Sequence, residues 1–174
     1  MTTATVVNEK ALAIAQDVLK NLGGQYVARA KVYAAEAKWN VPDEDIPTEG
    51  ELQKALDKMK SCNVCALGAC VLSKARLFND LPITEMFYGG FFELDSEDAY
   101  REIEDVFGVT QRAMIESAFE RSDMRSFEDD DHDDEVTEDE IEIAKAFGHR
   151  YNDAESRMRA IMENIVANGG VFVP

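Results

Sequence analysis

The chain has 174 residues, 45% of them hydrophobic and 30% charged, and its 35 acidic against 18 basic side chains give a formal net charge of −17. At this length one domain with one core is expected. Leu, Ile, Val and Phe form about a quarter of the residues, above the roughly 20% below which a highly charged chain stays unfolded. Direct binding to nucleic-acid phosphates is unfavourable across most of so acidic a surface, so the partners expected are basic proteins or surfaces that normally hold DNA or RNA.

The opening MTTATVVNEK has no basic start followed by an apolar run, as a secretory leader would. The longest apolar stretch, Val64 to Leu72, is interrupted by Gly68 and is far shorter than the roughly 20 residues of a membrane span. Three cysteines within Cys62–Cys70 make no disulfide framework and suit a reducing compartment. These features predict a cytoplasmic protein that does not bind membranes.

In chain order, Asn8 is placed to cap a helix with Leu12, Ala15, Val18, Leu19 and Leu22 at helical spacing, stopped by Gly23-Gly24. Gln25 to Trp39 is Ala-rich and reads as helix, with a short strand over Gln25–Lys31 as the alternative. Pro42 and Pro47 mark a loop. Thr48 then caps a helix with Leu52, Leu56 and Met59, and another helix follows through Val64, Leu67, Val71, Ala75 and Phe78.

Pro82 and Gly89-Gly90 break the pattern and leave Phe87, Tyr88, Phe91 and Phe92 in a loop or small hairpin. Ser96 begins a helix ended by Gly108, and Thr110 caps the next, with Met114, Ile115, Ala118 and Phe119. Thr137-Glu138-Asp139-Glu140 reads as a capping box. The last helix starts near Asn152 and stops at Gly169-Gly170; the apolar Val171-Phe172-Val173 beyond it either closes the core or pairs with another subunit. The fold class predicted is mainly α: a single domain over 1–174 of seven or eight short helices, with a small strand or hairpin element and an acidic loop over 123–136.

Between Glu116 and Glu142 fourteen carboxylates face two arginines, so most of the net charge lies there. Charge this dense repels itself unless solvent, a cation or a basic partner compensates it. Asp129, Asp130, Asp131, Asp133, Asp134 and Glu135 are therefore the candidate partner-binding residues. Asp129, Asp131, Asp133 and Glu140 also occupy positions 1, 3, 5 and 12 of an EF-hand-type loop, which makes calcium the candidate metal. Against it, Asp134 stands where the sharp turn of that loop takes Gly.

Cys62-Asn63-Val64-Cys65 with Cys70 offers three thiolates where structural zinc takes four ligands, and His132 and His149 are remote in sequence. Redox chemistry of the thioredoxin kind expects its C-x-x-C after a strand in a βαβ context, which the sequence pattern lacks. The simpler reading is a run of small residues on a helix, with cysteine as a small hydrophobe. No nucleophile elbow, metalloprotease motif, P-loop or dinucleotide fingerprint occurs, so a non-enzymatic protein is expected.

Three segments, Cys62–Cys70 (CNVCALGAC), Met114–Glu120 (MIESAFE) and Arg159–Gly170 (RAIMENIVANGG), resemble a family of uncharacterised bacteriophage and mobile-element accessory proteins. The resemblance implies an origin and no reaction, cofactor or functional residue. It supplies the setting for the leading expectation: a stoichiometric inhibitor or modulator of a host or defence macromolecule, acting in the host cytoplasm as an acidic nucleic-acid mimic. The alternative is a protein that sequesters a small ligand such as a nucleotide signal, with Arg29, Lys31, Lys74, Arg76 and Arg112 as the candidate cations.

Overall fold

The computed structural model describes residues 7–45, 52–78, 87–88, 91–92, 96–122 and 136–174. Among them the chain is mainly helical, with seven α-helices and a small three-stranded sheet, as the composition and periodicity predict. Helix α1 (Glu9–Asn21) is capped by Asn8, whose side chain accepts from the amide of Ala11, and it ends where Gly23 turns the chain at a positive φ of 80°.

Gln25–Trp39 is not a helix but two strands: β1 (Tyr26–Ala28), which falls in the Gln25–Lys31 stretch read as the alternative strand, and β2 (Ala34–Trp39), which replaces expected helix. Both flank β3 (Met59–Val64), β1 in parallel and β2 in antiparallel, giving the order β1-β3-β2. Helix propensity distinguishes ordinary residues by at most about 0.7 kcal/mol each. Pairing with β3 and the complete burial of Tyr26 and near-complete burial of Ala34 outweigh it. Lys31 and Glu36, in left-handed backbone at φ 62° and 54°, also interrupt any helix that would run through them.

The same sheet corrects two further expectations. Met59 and Val64, read as the end of one helix and the start of the next, are the two ends of β3; the helices are α2 (Leu52–Lys58) and α3 (Ala66–Phe78). Thr48, the expected cap of the former, lies outside the described residues. Phe87–Tyr88 (β4) and Phe91–Phe92 (β5) form an antiparallel hairpin, and β5 lies against β2. A 3₁₀ turn spans Asp43–Asp45.

Helices α4 (Ser96–Phe107) and α5 (Val109–Glu120) are separated by Gly108 at φ 80°. Gly108 is also the N-cap of α5, and Thr110, the expected cap, falls inside its first turn. The capping box at Thr137–Glu140 opens α6 (Glu138–Gly148) as predicted, with both reciprocal hydrogen bonds formed. Asp153 caps α7 (Ala154–Ala167).

One apolar cluster joins α1, α3, α4, α5, α6, α7 and the inner face of the sheet. Phe172 closes it, 1% exposed and edge-on to Phe147 at 5.3 Å between ring centres. The tail carrying it is held by two amide side chains. Gln111 exchanges hydrogen bonds with both backbone groups of Phe172, and Asn164 does the same for Val173. The C-terminal segment therefore closes the core of its own chain.

Candidate functional site

Helix α5 carries a polar stripe through this interior. Arg112, Glu116 and Glu120 are spaced four residues apart and so lie on one face of the helix; Arg112 is 4% exposed and Glu116 2%. The stripe faces the β1–β2 connection, residues 29–33. Both oxygens of Glu120 accept from the amide of Lys31 at 3.0 Å, and one oxygen of Glu116 accepts from the hydroxyl of Tyr33. The Tyr33 and Tyr100 hydroxyls lie 3.2 Å apart, and since the single Tyr33 proton serves Glu116 it is Tyr100 that donates here; the Arg112 guanidinium lies over the Tyr100 ring at 4.1 Å.

The ionic balance of this cluster is incomplete. Arg112 binds Glu104 at 3.0 Å, but its nearest approach to the second oxygen of Glu116 is 3.7 Å. That is inside ion-pair range and beyond hydrogen-bond reach, and this buried oxygen has no hydrogen-bond partner among the described residues. Burial accordingly pushes the Glu116 carboxyl up to about 7; the Tyr33 hydroxyl and the Arg112 charge pull the other way without cancelling it. Burial and the adjacent Glu116 charge hold Tyr33 protonated far above the ordinary phenol range.

The remaining interior cations are committed in the same manner. Lys74, 3% exposed, binds Glu102 at 2.7 Å, and Arg76 binds Asp17 at 3.0 Å. Arg157, also 3% exposed, donates to the carbonyls of Phe119, Tyr151 and Asn152, tying the end of α5 to the turn before α7. Arg29 pairs with Glu36 at the surface. Of the five cations expected for a nucleotide phosphate, Arg29, Lys74, Arg76 and Arg112 therefore already face carboxylates. Removing either member of a buried pair strands its partner's charge, at about 3–5 kcal/mol, so the pairs of Lys74, Arg76 and Arg112 are not readily given up to a ligand.

The cysteines are placed differently from the sequence expectation. Cys62 lies on β3, and Cys65 is the residue before α3, its sulfur accepting from the amide of Gly68 at 3.4 Å. The C-x-x-C thus does run from a strand into a helix. All three thiols are nevertheless buried and unbridged. Burial pushes Cys62 and Cys70 up to about 12 and Cys65 in the same direction, the last with the nearby Glu116 and Glu120 charges adding to the effect. Since the thiolate is the nucleophile and the metal ligand, these sulfurs behave as small hydrophobes.

The acidic residues Asp129, Asp130, Asp131, Asp133, Asp134 and Glu135, read as partner-binding, lie outside the described residues, as do three of the four calcium candidates. The fourth, Glu140, is occupied in the capping box. It accepts from the amide and hydroxyl of Thr137 at 2.9 and 2.7 Å, which lowers its carboxyl below the ordinary range. Among the described residues no group of three or more His, Cys, Asp or Glu side chains is arranged to hold a metal ion. No described helix is long and apolar enough to cross a membrane.

The ends of the acidic segment are well defined. On one side Arg121 closes α5 in left-handed backbone at φ 60°. On the other Val136, 8% exposed, packs with Ala113, Ile141 and Val109 near the start of α5. Gly148 at the end of α6 meets Ala118 near the end of α5. Helices α5 and α6 therefore run side by side in the same direction, and the residues flanking the segment stand at opposite ends of α5. The exposed Glu138, Asp139 and Glu142 continue the acidic character onto α6.

Sequence reasoning missed the Glu116 cluster. Its only signal is the four-residue spacing of Arg112, Glu116 and Glu120 among the buried apolar positions Ala113, Met114, Ile115, Ala118 and Phe119, and the partners Tyr33 and Tyr100 come from distant segments. Comparison with protein-family models, with curated protein sequences and with solved structures returned no match.

Proposed function

We propose that this protein is a non-enzymatic accessory protein, of bacteriophage or mobile-element type, that acts in the host cytoplasm. It binds and inhibits or modulates a basic host or defence macromolecule by presenting carboxylates where that target expects nucleic-acid phosphates. The observation that carries the reading is the partition of charge. Lys74, Arg112 and Arg157 are drawn into the interior, against two buried carboxylates, Asp17 and Glu116, while the carboxylates of α6 and of the 3₁₀ turn at Asp43–Asp45 stay exposed. A chain already at −17 thereby shows a partner even less positive charge than its composition would. Such a surface accelerates encounter with a basic partner and repels nucleic acid itself.

The binding residues in this proposal are Asp129, Asp130, Asp131, Asp133, Asp134 and Glu135, continued by Glu138, Asp139 and Glu142. The test is an affinity pulldown from a bacterial host extract at low salt. Tagged protein is run beside a variant with Asp129, Asp130, Asp131, Asp133 and Asp134 changed to Asn. A nucleic-acid-binding or defence protein retained only by the unaltered chain, released by salt and displaced by competing DNA, is the expected result. Equal retention by both proteins, or retention insensitive to salt, would overturn the proposal.

A further inference from the structure

The β1–β2 connection is fastened to the rest of the molecule by two carboxylates on one helix. Glu120 holds the amide of Lys31, and one helical turn earlier Glu116 holds the hydroxyl of Tyr33. Beneath these two fastenings the connection lies on the amino end of α3. The Tyr33 carbonyl sits against Gly68, and the Val32 carbonyl accepts from the amide of Cys65 at 2.6 Å. Lys31 adopts left-handed backbone, φ 62°, a conformation that costs a non-glycine residue of order 1 kcal/mol and that the Glu120 contact offsets. The segment is thus held by these two carboxylates and by two backbone hydrogen bonds, from the Arg29 amide to the Val64 carbonyl at 2.8 Å and from the Cys65 amide to the Val32 carbonyl, with the strained backbone at Lys31.

We propose that residues 29–33 form a strap whose closure over the amino end of α3 is governed by the protonation state of Glu116. The groups facing Glu116 decide the sign. From the β1–β2 connection comes Tyr33, which is protonated throughout the physiological range. Tyr100 comes from α4, and Arg112 from α5 is shared with Glu104. Glu120, one turn along α5, adds a second negative charge and is itself near Lys31 and Arg157; the Cys65 thiol is protonated. One cation shared between two carboxylates, with a third acid nearby, leaves an ionised Glu116 under-compensated in a buried site.

Protonated, Glu116 is neutral, keeps the Tyr33 hydrogen bond and removes the repulsion towards Glu120. Ionised, it gains by reaching water, which requires the strap to lift. The closed form binds the proton more tightly than the open one, so closure is strongest at mildly acid pH. Opening grows as pH rises from the ordinary carboxylate range towards 7 and levels off above it. Opening uncovers the amino end of α3 with Cys65 and Gly68, and leaves α1 and α7 in place.

The experiment is native-state hydrogen exchange of the full chain, corrected for intrinsic rates, followed at the amides of Lys31 and Cys65 with Ile161 of α7 as reference. In the unaltered protein the protection of Lys31 and Cys65 should fall by about tenfold per pH unit between pH 5 and 7 and be flat above. It should be weaker than that of Ile161 at every pH and insensitive to low urea, as for a local opening. Glu116→Gln should remove the pH dependence. Protection at Lys31 and Cys65 that does not change with pH would overturn the strap, as would protection that tracks Ile161 in urea, or a dependence that survives in Glu116→Gln. The first two results need only the unaltered protein, so they decide the matter even if the variant folds poorly.

Discussion

Gly68 on α3 lies so close to the backbone of Tyr33 that a β-carbon placed on it would stand 1.4 Å from the Tyr33 carbonyl oxygen. The atom in the way is main chain, fixed by the sheet on one side and by the Tyr33 hydroxyl on the other, so it cannot rotate aside. Gly68→Ala should therefore destabilise by at least about 3 kcal/mol, the upper part of the range for overpacking, or prevent folding. Gly24→Ala is the control. Its added carbon would meet only the Asn21 carbonyl at an ordinary 3.6 Å, and its effect should stay within about 0.5 kcal/mol. Urea denaturation of the two variants against the parent measures both.

Glu116 gives the stability of the whole molecule a pH dependence of known sign. Its carboxyl is near 7 in the fold, against an ordinary value of 4.5 once the chain unfolds. The folded state therefore holds the proton more tightly. The stability this contributes is full below about 4.5 and is lost as pH rises through 7, a change on the order of 3 kcal/mol. Glu116→Gln keeps an acceptor for Tyr33 without the charge. It should match the parent or fall slightly below it at pH 4.5 and exceed it at pH 8. Unfolding curves at the two pH values would show the crossing, and parallel losses at both would mean that the carboxyl is not ionising inside the fold.

The sequence makes the helical part of this structure readable because its signals are local. Asn8 before α1, the Thr137–Glu140 box before α6 and the glycines after α1 and α4 each act within one turn of the chain. The sheet is a different matter. Gln25 to Trp39 has the composition of a helix, and what makes it two strands is β3, more than twenty residues further on, together with two residues in left-handed backbone that carry no glycine to announce them. The candidate cluster fails to show for the same reason. Glu116 and Arg112 are visible as charged positions one helical turn apart, but the tyrosines that meet them are supplied by packing between distant segments.

The C-terminal tail offers a test of packing without charge. Phe172 is buried against Phe147, and two hydrogen bonds with Gln111, one donated by its side chain and one accepted, fix it there. Phe172→Ala leaves a cavity and should cost about 3–5 kcal/mol. Gln111→Ala should cost less, about 1–3 kcal/mol, by leaving the tail's amide and carbonyl unpaired. Because each acts on the same C-terminal segment, the double variant should fall short of the sum of the singles. Additive losses in thermal or urea unfolding would mean that Gln111 does not hold the tail that carries Phe172.

The capping box at the return of the acidic segment has the opposite pH sign to Glu116, and that allows the two to be separated. Glu140 is held below its ordinary range by the hydroxyl and amide of Thr137. A carboxyl depressed in the fold lends stability above its unfolded value and loses it as pH falls, so its contribution fades below about pH 4.5. Thr137→Ala removes the hydroxyl that serves both Glu140 and the Glu140 amide, and should cost about 1 kcal/mol at neutral pH. The solvent exposure of the box limits the ionic share. As pH falls through the depressed range of Glu140 the same substitution should cost progressively less, since the charged half of the box is being neutralised. If the Thr137→Ala deficit is instead the same in acid as at pH 7, the box is held by the hydroxyl without the carboxylate charge. The Glu140 carboxylate would then be available to the acidic surface that continues into Glu138 and Asp139.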